Sequence, residues 1–366
     1  VKTEAKANYP AIRHAAPVVA VGDKNELTID GVSLGVKAGK KLQCVINAKK
    51  NLYFSYDTCM QTLGSEMYTM YNPELPDNAK ELSVLFIGNS FTVDATQHLA
   101  SMVGAFNVTN INMSRFYYPG YTLPEYLENF DKDNVCAYSY LRYKDGVTSW
   151  AGYMTQYDDN PSTCFKKRQW DVVVIQGHTG REHTWRWGDG KLMTTVNGLV
   201  KKFHELQPNK RPTVVYLLAQ TYARNSDLLK TEFGNDRSKM FNATVDVATR
   251  LMEETGVDYV ISTGCALENL RTTSLNKTND VDLSRGDLYH MDYGIGRYTA
   301  CCTVWETLFT RCLGYKVSDC TFRDLSESME AKGRRTAISD TSAPIAQKAA
   351  HAAVEKPFEV TDLSAL

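Results

Sequence analysis

The chain has 366 residues, and its 41 Lys and Arg against 42 Asp and Glu leave a formal net charge of −1. With 43% hydrophobic and 23% charged residues it has the composition of an average globular protein, which excludes collagen-like and disordered chains. The near-zero charge gives no general attraction to nucleic acid, and no apolar run approaches the ~20 residues needed to span a bilayer.

The first 80 residues are interpreted as a small, β-rich N-terminal extension. Short β-like runs at residues 18–21, 27–29 and 42–46 are separated by Gly, Asp, Asn and Lys, without the strand–helix alternation that follows. A stretch with two prolines at residues 72–78 is typical of a linker or turn. We therefore expect an extension over residues 1–80 and one larger domain over residues 81–366.

From residue 81 onwards, nearly continuous apolar runs alternate with helical periodicities. The runs lie at residues 82–87, 171–176, 213–219 and 257–262. Such runs suit strands that are covered on both faces, as in a parallel sheet. A last Ala-rich helix is expected over residues 345–354, stopped by Pro357. The alternation predicts an α/β fold with three α/β/α layers.

The nine cysteines do not indicate a disulfide framework or a zinc site. Their number is odd, and none form a C-x-x-C pair. We interpret them as small buried hydrophobes, an interpretation that leaves the cellular compartment undecided.

In such sheets, ligands bind beyond the carboxyl ends of the strands. The motif Gly88-Asn89-Ser90 follows the first apolar run, where glycine permits a tight turn into a helix. Ser90 would lie at the helix N-terminus, where free N–H groups favour the negative charge that a nucleophilic attack generates. The same residue types are also typical of a helix N-cap, so on this motif alone both interpretations stay open.

Asp287 precedes His290 by three residues, far downstream. This spacing allows the carboxylate to reach the Nδ1–H of the imidazole, which fixes the tautomer and leaves Nε2 free as a base. An isolated pair of this kind is more often merely solvated. A serine at a strand end gives the pair a partner of the right type.

These motifs together resemble those of the SGNH/GDSL-type hydrolases. The resemblance covers roughly residues 81–360 and rests on the block at 88–94, Pro119-Gly120, the strand at 170–176 and the segment at 287–298. More narrowly, the chain is similar to an uncharacterised, often secreted bacterial branch of that superfamily, in which the nucleophile block reads Ile-Gly-Asn-Ser-Phe. The resemblance implies a flavodoxin-like parallel sheet.

The resemblance also implies a role for each site residue. Ser90 would be the nucleophile, His290 the general base and acid, and Asp287 the carboxylate that orients the histidine. Backbone N–H groups of Ser90 and Gly120 would form the oxyanion hole. The Gly-x-Asn-Asp stretch that normally supplies a third donor is absent here, and the amide of Gln176 is the predicted substitute.

Further candidates for substrate contact surround the same strand ends: Asn89, His178, Thr179 and Trp185. Aromatic residues in these loops can stack on sugar faces, namely Trp185, Trp187, Tyr117, Tyr118 and Tyr121. The two histidines His178 and His183, with Glu182 beside them, also suggest a metal site, but the pair of histidines has no third ligand at a standard spacing. We expect no metal and no cofactor.

The resulting hypothesis is a serine esterase that hydrolyses short acyl esters, acetyl above all, on carbohydrate. Its expected partner is a small-molecule or glycan ester, with no nucleic acid, and its oligomeric state is open. Alternatives are a lipase or thioesterase with the same residues, a non-catalytic glycan-binding protein on the same fold, and an anion site at the Gly-Asn-Ser turn. Because the chain begins at Val1 and the similar branch is often secreted, we expect a removed signal segment and a secreted, periplasmic or cell-surface protein.

Overall fold

The computed structural model describes the backbone of residues 19–21, 26–29 and 32–35, and then residues 75–76, 78–152, 154–178, 182, 191–276 and 281–366. Three N-terminal strands, β1 (Val19–Val21), β2 (Glu26–Ile29) and β3 (Val32–Gly35), form a small antiparallel sheet. Two of them coincide with expected runs, whereas the run at 42–46 lies outside the described residues. The boundary at residue 80 stays a prediction.

A second sheet contains eight strands, and helices follow most of them. The strands are β4 (Leu82–Gly88), β5 (Ile111–Tyr117), β6 (Cys136–Lys144), β7 (Val147–Ala151), β8 (Tyr157–Asp159), β9 (Val172–Ile175), β10 (Thr213–Leu217) and β11 (Tyr259–Ile261). The helices are α1 (Ser90–Thr96), α2 (Leu99–Phe106), α3 (Leu123–Lys132), α4 (Pro161–Lys167), α5 (Lys191–Leu206), α6 (Asp227–Phe233), α7 (Arg237–Glu254), α8 (Thr263–Arg271), α9 (Ile295–Trp305) and α10 (Ser342–Glu355). Helix α9 continues through a π-helical turn, Glu306–Thr310, into Arg311–Leu313, and two short 3-10 turns follow at Val317–Asp319 and Ala331–Gly333.

The large sheet has the order β11-β10-β9-β4-β5-β6-β7, with β8 paired to β6. Its five strands from β11 to β5 are parallel. Counted along the chain, these five have the flavodoxin-like order 2-1-3-4-5. The predicted α/β class is therefore confirmed. The sheet is not parallel throughout, however, because β6, β7 and β8 extend it with antiparallel pairs.

Helices cover both faces of this sheet. One core contains side chains of α1, α2, α8, α9 and α10, and the other contains side chains of α3, α4, α5 and α7. Strand β4 lies between them: Val84 and Phe86 face the first core, and Leu85 and Ile87 face the second. All four side chains are fully buried, which explains the unbroken apolar run that predicts this strand.

Strand β5 has no such run because a charged residue lies inside it. Arg115 is buried, and its guanidinium donates to the carbonyl oxygen of Thr96 (2.9 Å) and to its hydroxyl (2.8 Å). The same guanidinium lies 3.5 Å from the ring centre of Trp150 on β7. Thr96 ends helix α1, so Arg115 places positive charge at the negative end of that helix. Its partners come from other elements, and the local sequence therefore does not indicate a strand.

The described cysteines agree with the expected packing role. All seven are buried: Cys136, Cys164, Cys265, Cys301, Cys302, Cys312 and Cys320. In the part of the chain that the structure describes, no helix has the length and apolar character required to cross a bilayer.

His98, between α1 and α2, provides a test of this packing through pH. The side chain is 5% exposed, and its Nε2 lies 2.8 Å from the carbonyl oxygen of Tyr293. Burial lowers the pKa of the ring to about 4, against the hydrogen bond to Tyr293, which raises it. Because the unfolded chain binds this proton near pH 6.5, the neutral ring contributes stability above that pH, and the contribution is lost as the pH falls toward 4.

We therefore expect His98 to make the wild-type protein lose about 2–3 kcal/mol of unfolding free energy between pH 7 and pH 4.5, relative to a His98→Gln variant. Urea unfolding of both proteins at the two pH values measures this difference. A gap between the two proteins that is the same at both pH values would contradict the buried, neutral imidazole.

Candidate active site

Ser90 opens helix α1 directly after the turn that ends β4. The N-cap of this helix is Asn89, whose Oδ1 accepts the backbone N–H of Phe91 at 3.0 Å. The capping role that the sequence left open for Ser90 therefore belongs to Asn89. Gly88 makes the turn possible, because a Cβ there would lie 2.1 Å from Oγ1 of Thr92 and 2.8 Å from Oε1 of Gln176.

Gln176 holds this turn from the position that follows the neighbouring strand β9. Its Oε1 accepts the backbone N–H of Asn89 (3.1 Å), the backbone N–H of Thr92 (3.1 Å) and the hydroxyl of Thr92 (2.9 Å). The side chain is fully buried, and its Nε2 has no hydrogen-bond partner among the described residues. The observed contacts thus fix the backbone around Ser90. Donation by Nε2 to a substrate oxyanion stays a prediction.

His290 lies between Ser90 and Asp287. Its Nε2 is 2.7 Å from Oγ of Ser90, a residue 200 positions away in the chain, and its Nδ1 is 2.9 Å from Oδ2 of Asp287. The other carboxylate oxygen of Asp287 accepts the backbone N–H of His290 at 2.9 Å. With Nδ1–H donating to the carboxylate, Nε2 is left to accept the hydroxyl proton of Ser90.

The carboxylate of Asp287 is held in its ionised form. Burial alone would raise its pKa, but the hydrogen bonds from the side chain and backbone of His290 hold the pKa well below its usual range. Arg285 adds a charged partner, since its Nη2 lies 2.5 Å from Oδ2 of Asp287. The same guanidinium donates to the hydroxyl of Tyr293 at 2.6 Å. The carboxylate beside Nδ1 therefore stays ionised at lower pH than an ordinary aspartate would.

Residues that follow β10 hold the loop between Asp287 and His290. Leu288 has a φ of +64°, in the left-handed region that L side chains rarely adopt. Its carbonyl oxygen accepts the backbone N–H of Ala223 at 2.7 Å, and the next carbonyl, of Tyr289, accepts Nε2 of Gln220 at 2.9 Å. These two bonds stabilise the backbone conformation that directs His290 toward Ser90.

A buried carboxylate connects the serine helix to the histidine loop. Asp94, on α1, is fully buried, and its Oδ2 accepts the backbone N–H of Met291 at 3.0 Å. Its Oδ1 lies 2.5 Å from Nη2 of Arg297 on α9. Burial raises the pKa of Asp94, whereas the charge of Arg297 opposes that rise. Asp94 therefore fixes the residue next to His290 from the helix that begins with Ser90.

The turn that contains Gly120 is joined to the turn that contains Ser90. Gly120 is exposed and has a φ of +71°, which suits the third position of a type II turn after Pro119. Nδ2 of Asn89 donates to the carbonyl of Tyr121 at 2.9 Å. The buried hydroxyl of Tyr126, on α3, donates to the carbonyl of Gly88 at 2.7 Å and accepts the N–H of Tyr118 at 2.8 Å.

Of the four residues predicted to contact substrate, the structure describes Asn89 and His178. Asn89 is 2% exposed and both of its amide atoms bond to the protein backbone, so the structure gives it a positioning role. The half-buried ring of His178 lies 6.1 Å from the ring of Phe91, beside Ser90. Thr179 and Trp185 lie outside the described residues. Glu182, weighed as a metal ligand, is buried and accepts the hydroxyl of Tyr216, and burial raises its pKa to about 7.

Sequence reasoning missed several residues that position the site: Asp94, Tyr126, Gln220 and Arg285. Asp94 lies one helical turn after Ser90, so a polar side chain on the buried face of α1 was an available signal. Tyr126 lies in a helix with an ordinary amphipathic pattern, and no local signal distinguishes its hydroxyl.

The Tyr126 hydroxyl generates a prediction. Tyr126→Phe removes only that hydroxyl and leaves the carbonyl of Gly88 and the N–H of Tyr118 without this partner. If the two turns act together, we expect kcat for ester hydrolysis to fall roughly tenfold or more, because small displacements of an oxyanion donor are costly. Tyr143→Phe is the matched control, since the hydroxyl of Tyr143 also donates to a carbonyl, that of Ile111, at 2.7 Å. Equal kcat values in the two variants would contradict the positioning role.

A family model and one solved structure indicate the same family for this chain. No curated protein matches the chain significantly. A crystal structure of a DUF4886 family protein from Bacteroides uniformis is similar over 78% of this chain and 100% of that chain, with 25% identity and a TM-score of 0.62.

Two more distant likenesses are a putative SGNH hydrolase from Slackia heliotrinireducens and Axe2, an acetylxylan esterase from Geobacillus stearothermophilus. The first has 14% identity and a TM-score of 0.40 over 62% of this chain and 99% of that chain. The second has 13% identity and a TM-score of 0.41 over 63% and 96%. Similarity this remote does not bear on function. The model of the family described as "Domain of unknown function (DUF4886)" matches residues 83–341, and the chain therefore belongs to that family.

Proposed function

We propose that this protein is a serine hydrolase of carboxylic esters in which Ser90 is the nucleophile. One observation carries the proposal: the hydroxyl of Ser90, the imidazole of His290 and the carboxylate of Asp287 form a continuous hydrogen-bonded chain with separations of 2.7 and 2.9 Å. A nucleophile, a base and a group that orients the base are the combination that acyl transfer requires.

In the first half of the proposed reaction, Oγ of Ser90 forms a bond to the ester carbonyl carbon while Nε2 of His290 takes the hydroxyl proton. The tetrahedral intermediate collapses by breaking the bond to the alcohol oxygen, and His290 gives its proton to the departing alcohol. Water then attacks the acyl carbon while His290 takes a proton from it; the bond between Oγ and the acyl carbon breaks, the carboxylic acid leaves, and His290 returns the proton to Oγ. Asp287 stays ionised throughout and stabilises the imidazolium.

The oxyanion of the intermediate is proposed to bind at the backbone N–H groups of Ser90 and Gly120. Two features support this assignment: Ser90 begins a helix, where free N–H groups and the helix dipole favour negative charge, and Gly120 lies exposed at the tip of the adjoining turn. Gln176 is proposed as a third donor. That role requires the oxyanion to reach Nε2, a buried atom with no partner among the described residues, while Oε1 keeps its three hydrogen bonds.

Short acyl groups are proposed as substrates, with a carbohydrate as the alcohol. The ring of Phe91, which follows Ser90, lies 5.3 Å from the ring of His290 and 6.4 Å from that of Tyr222. Phe91 and Tyr222 are both nearly fully buried, so aromatic side chains already fill the space on this side of the nucleophile. A small group such as acetyl is more easily accommodated there than a long chain.

The proposal predicts that Ser90→Ala and His290→Ala each reduce hydrolysis of p-nitrophenyl acetate by at least 10³-fold while leaving the thermal unfolding midpoint close to that of the wild type. Matched controls are Ser101→Ala on α2 and His351→Ala on α10, both of which are exposed side chains away from the site. Activity that survives in the Ser90→Ala protein, or that falls equally in the control variants, would overturn the assignment of Ser90.

A further inference from the structure

Four tyrosines lie in or beside the Gly120 turn, and we call them the tyrosine shelf: Tyr117, Tyr118, Tyr121 and Tyr157. The rings of Tyr118 and Tyr121 stack with centroids 3.9 Å apart and an interplanar angle of 27°. The ring of Tyr157 lies 5.0 Å from that of Tyr118. The shelf is thus assembled from the end of β5, the Gly120 turn and strand β8.

The register of the sheet places the shelf next to the nucleophile turn. Gly88 on β4 pairs with Tyr117 on β5, Tyr117 pairs with Ala137 on β6, and Ala137 pairs with Tyr157 on β8. Neighbouring strands lie about 4.8 Å apart, so the row from Tyr117 on β5 to Tyr157 on β8 is ~10 Å long. It runs away from β4, the strand that leads to Ser90. A ligand longer than one sugar ring therefore fits along it.

The chemistry of the shelf favours an amphipathic ligand. Tyr157 is 38% exposed and the other three side chains are half-buried. Within the described part of the chain, none of the four hydroxyls makes a side-chain hydrogen bond. Because Tyr121 covers one face of the Tyr118 ring, the apolar surface on offer is the exposed Tyr157 ring and the other face of Tyr118, and each of the four hydroxyls is available as donor and acceptor. A sugar ring has the same two properties, because its C–H face is apolar and its edge carries hydroxyls.

The surrounding charge favours an uncharged sugar over an acidic one. Burial is the main cause that raises the pKa of Tyr121, and the carboxylates of Glu125 and Glu128 add to it. Glu125 lies in the first turn of α3, next to the Gly120 turn, and Glu128 lies three positions later in the same helix. Glu128 is ion-paired with Lys132 at 2.5 Å, so the carboxylate of Glu125 is the one that would repel a uronate or sulfated sugar at Tyr121.

We propose that the tyrosine shelf binds the uncharged sugar chain that carries the ester, on the alcohol side of Ser90. This inference rests on the proposed ester hydrolysis for its orientation, and it names the residues that bind the carbohydrate proposed as the alcohol. Tyr157 and Tyr118 supply the stacking surfaces, and the hydroxyls of Tyr117 and Tyr121 supply hydrogen bonds. The shelf acts in binding, so its loss is expressed in Kd and KM.

The direct test measures binding without catalysis. Cellotriose and xylotriose are titrated into the Ser90→Ala protein by calorimetry or NMR, and the titration is repeated after adding Tyr157→Ala or Tyr118→Ala. We expect Kd to rise about tenfold for each added substitution, since each removes one stacked ring. Tyr140→Ala is the matched control, because Tyr140 is a 44%-exposed tyrosine on β6 outside the shelf, and its Kd should match that of the parent. Failure of both trisaccharides to bind at millimolar concentration, or equal losses in the control, would overturn the inference.

A second test separates this inference from the proposed function. In the otherwise wild-type protein, we expect Tyr157→Ala to lower kcat/KM for glucose pentaacetate relative to kcat/KM for ethyl acetate, whose alcohol is too small to reach the shelf. If the ratio of the two kcat/KM values is the same in Tyr157→Ala and in the wild type, while hydrolysis depends on Ser90, the shelf alone is overturned. If the wild type hydrolyses neither ester but trisaccharide binding depends on Tyr157, the esterase proposal alone is overturned. If Tyr157→Ala lowers kcat/KM only for p-nitrophenyl octanoate, the shelf binds an acyl chain, and the sugar assignment is overturned.

Discussion

The buried carboxylate of Asp94 joins two segments that are about 200 residues apart in the chain and that have to meet within hydrogen-bond distance. From helix α1 it accepts the N–H of Met291, next to His290, and it pairs with Arg297 on α9. A buried charge is costly unless it is paired and hydrogen-bonded, and Asp94 has both kinds of partner. Its contacts therefore define one relative position of the serine helix and the histidine loop, and the 2.7 Å separation of Ser90 and His290 follows from it.

Buried polar side chains also form hydrogen bonds around the turn before Ser90. Gln176 accepts three hydrogen bonds from this turn, Asn89 caps the helix and reaches the Gly120 turn, and Tyr126 bridges the two turns from α3. Each of these side chains belongs to a different element of the fold. Preorganised donors of this kind cost no rearrangement during a reaction, which is the property that an oxyanion site requires.

The sequence predicted the parts of this protein that depend on local pattern. The apolar runs of β4, β9, β10 and β11 indicate strands buried on both faces, and the structure contains each of them. Strand β5 was not predicted, because Arg115 inside it is buried against Thr96 and Trp150, which lie far away in the chain. Strands β6, β7 and β8 were not predicted either, although β6 and β7 form a local hairpin in which Lys144 pairs with Val147 across the turn Asp145-Gly146. Local spacing also suggested the contact of Asp287 with His290, since they lie three positions apart.

Apart from Asp94, the positioning residues could not be predicted, because their partners also lie far away in the chain. The motif around Ser90 allowed two interpretations, and only the three-dimensional arrangement assigns the cap to Asn89. Nothing in the sequence near Tyr126 or Gln220 indicates that their polar atoms bond to residues about 40 and 70 positions away. Long-range polar contacts are set by the fold, whereas hydrophobic periodicity is set by the element alone.

The most direct test of the central claim is covalent labelling with a fluorophosphonate, followed by peptide mass spectrometry. This reagent forms a stable bond with a serine hydroxyl only when a base activates it and an oxyanion site holds the phosphoryl oxygen. The account predicts one label per chain, on Ser90, and greatly slowed labelling in the His290→Ala protein. Labelling of another residue, or of Ser90 at the same rate without His290, would contradict the proposed roles of these two residues.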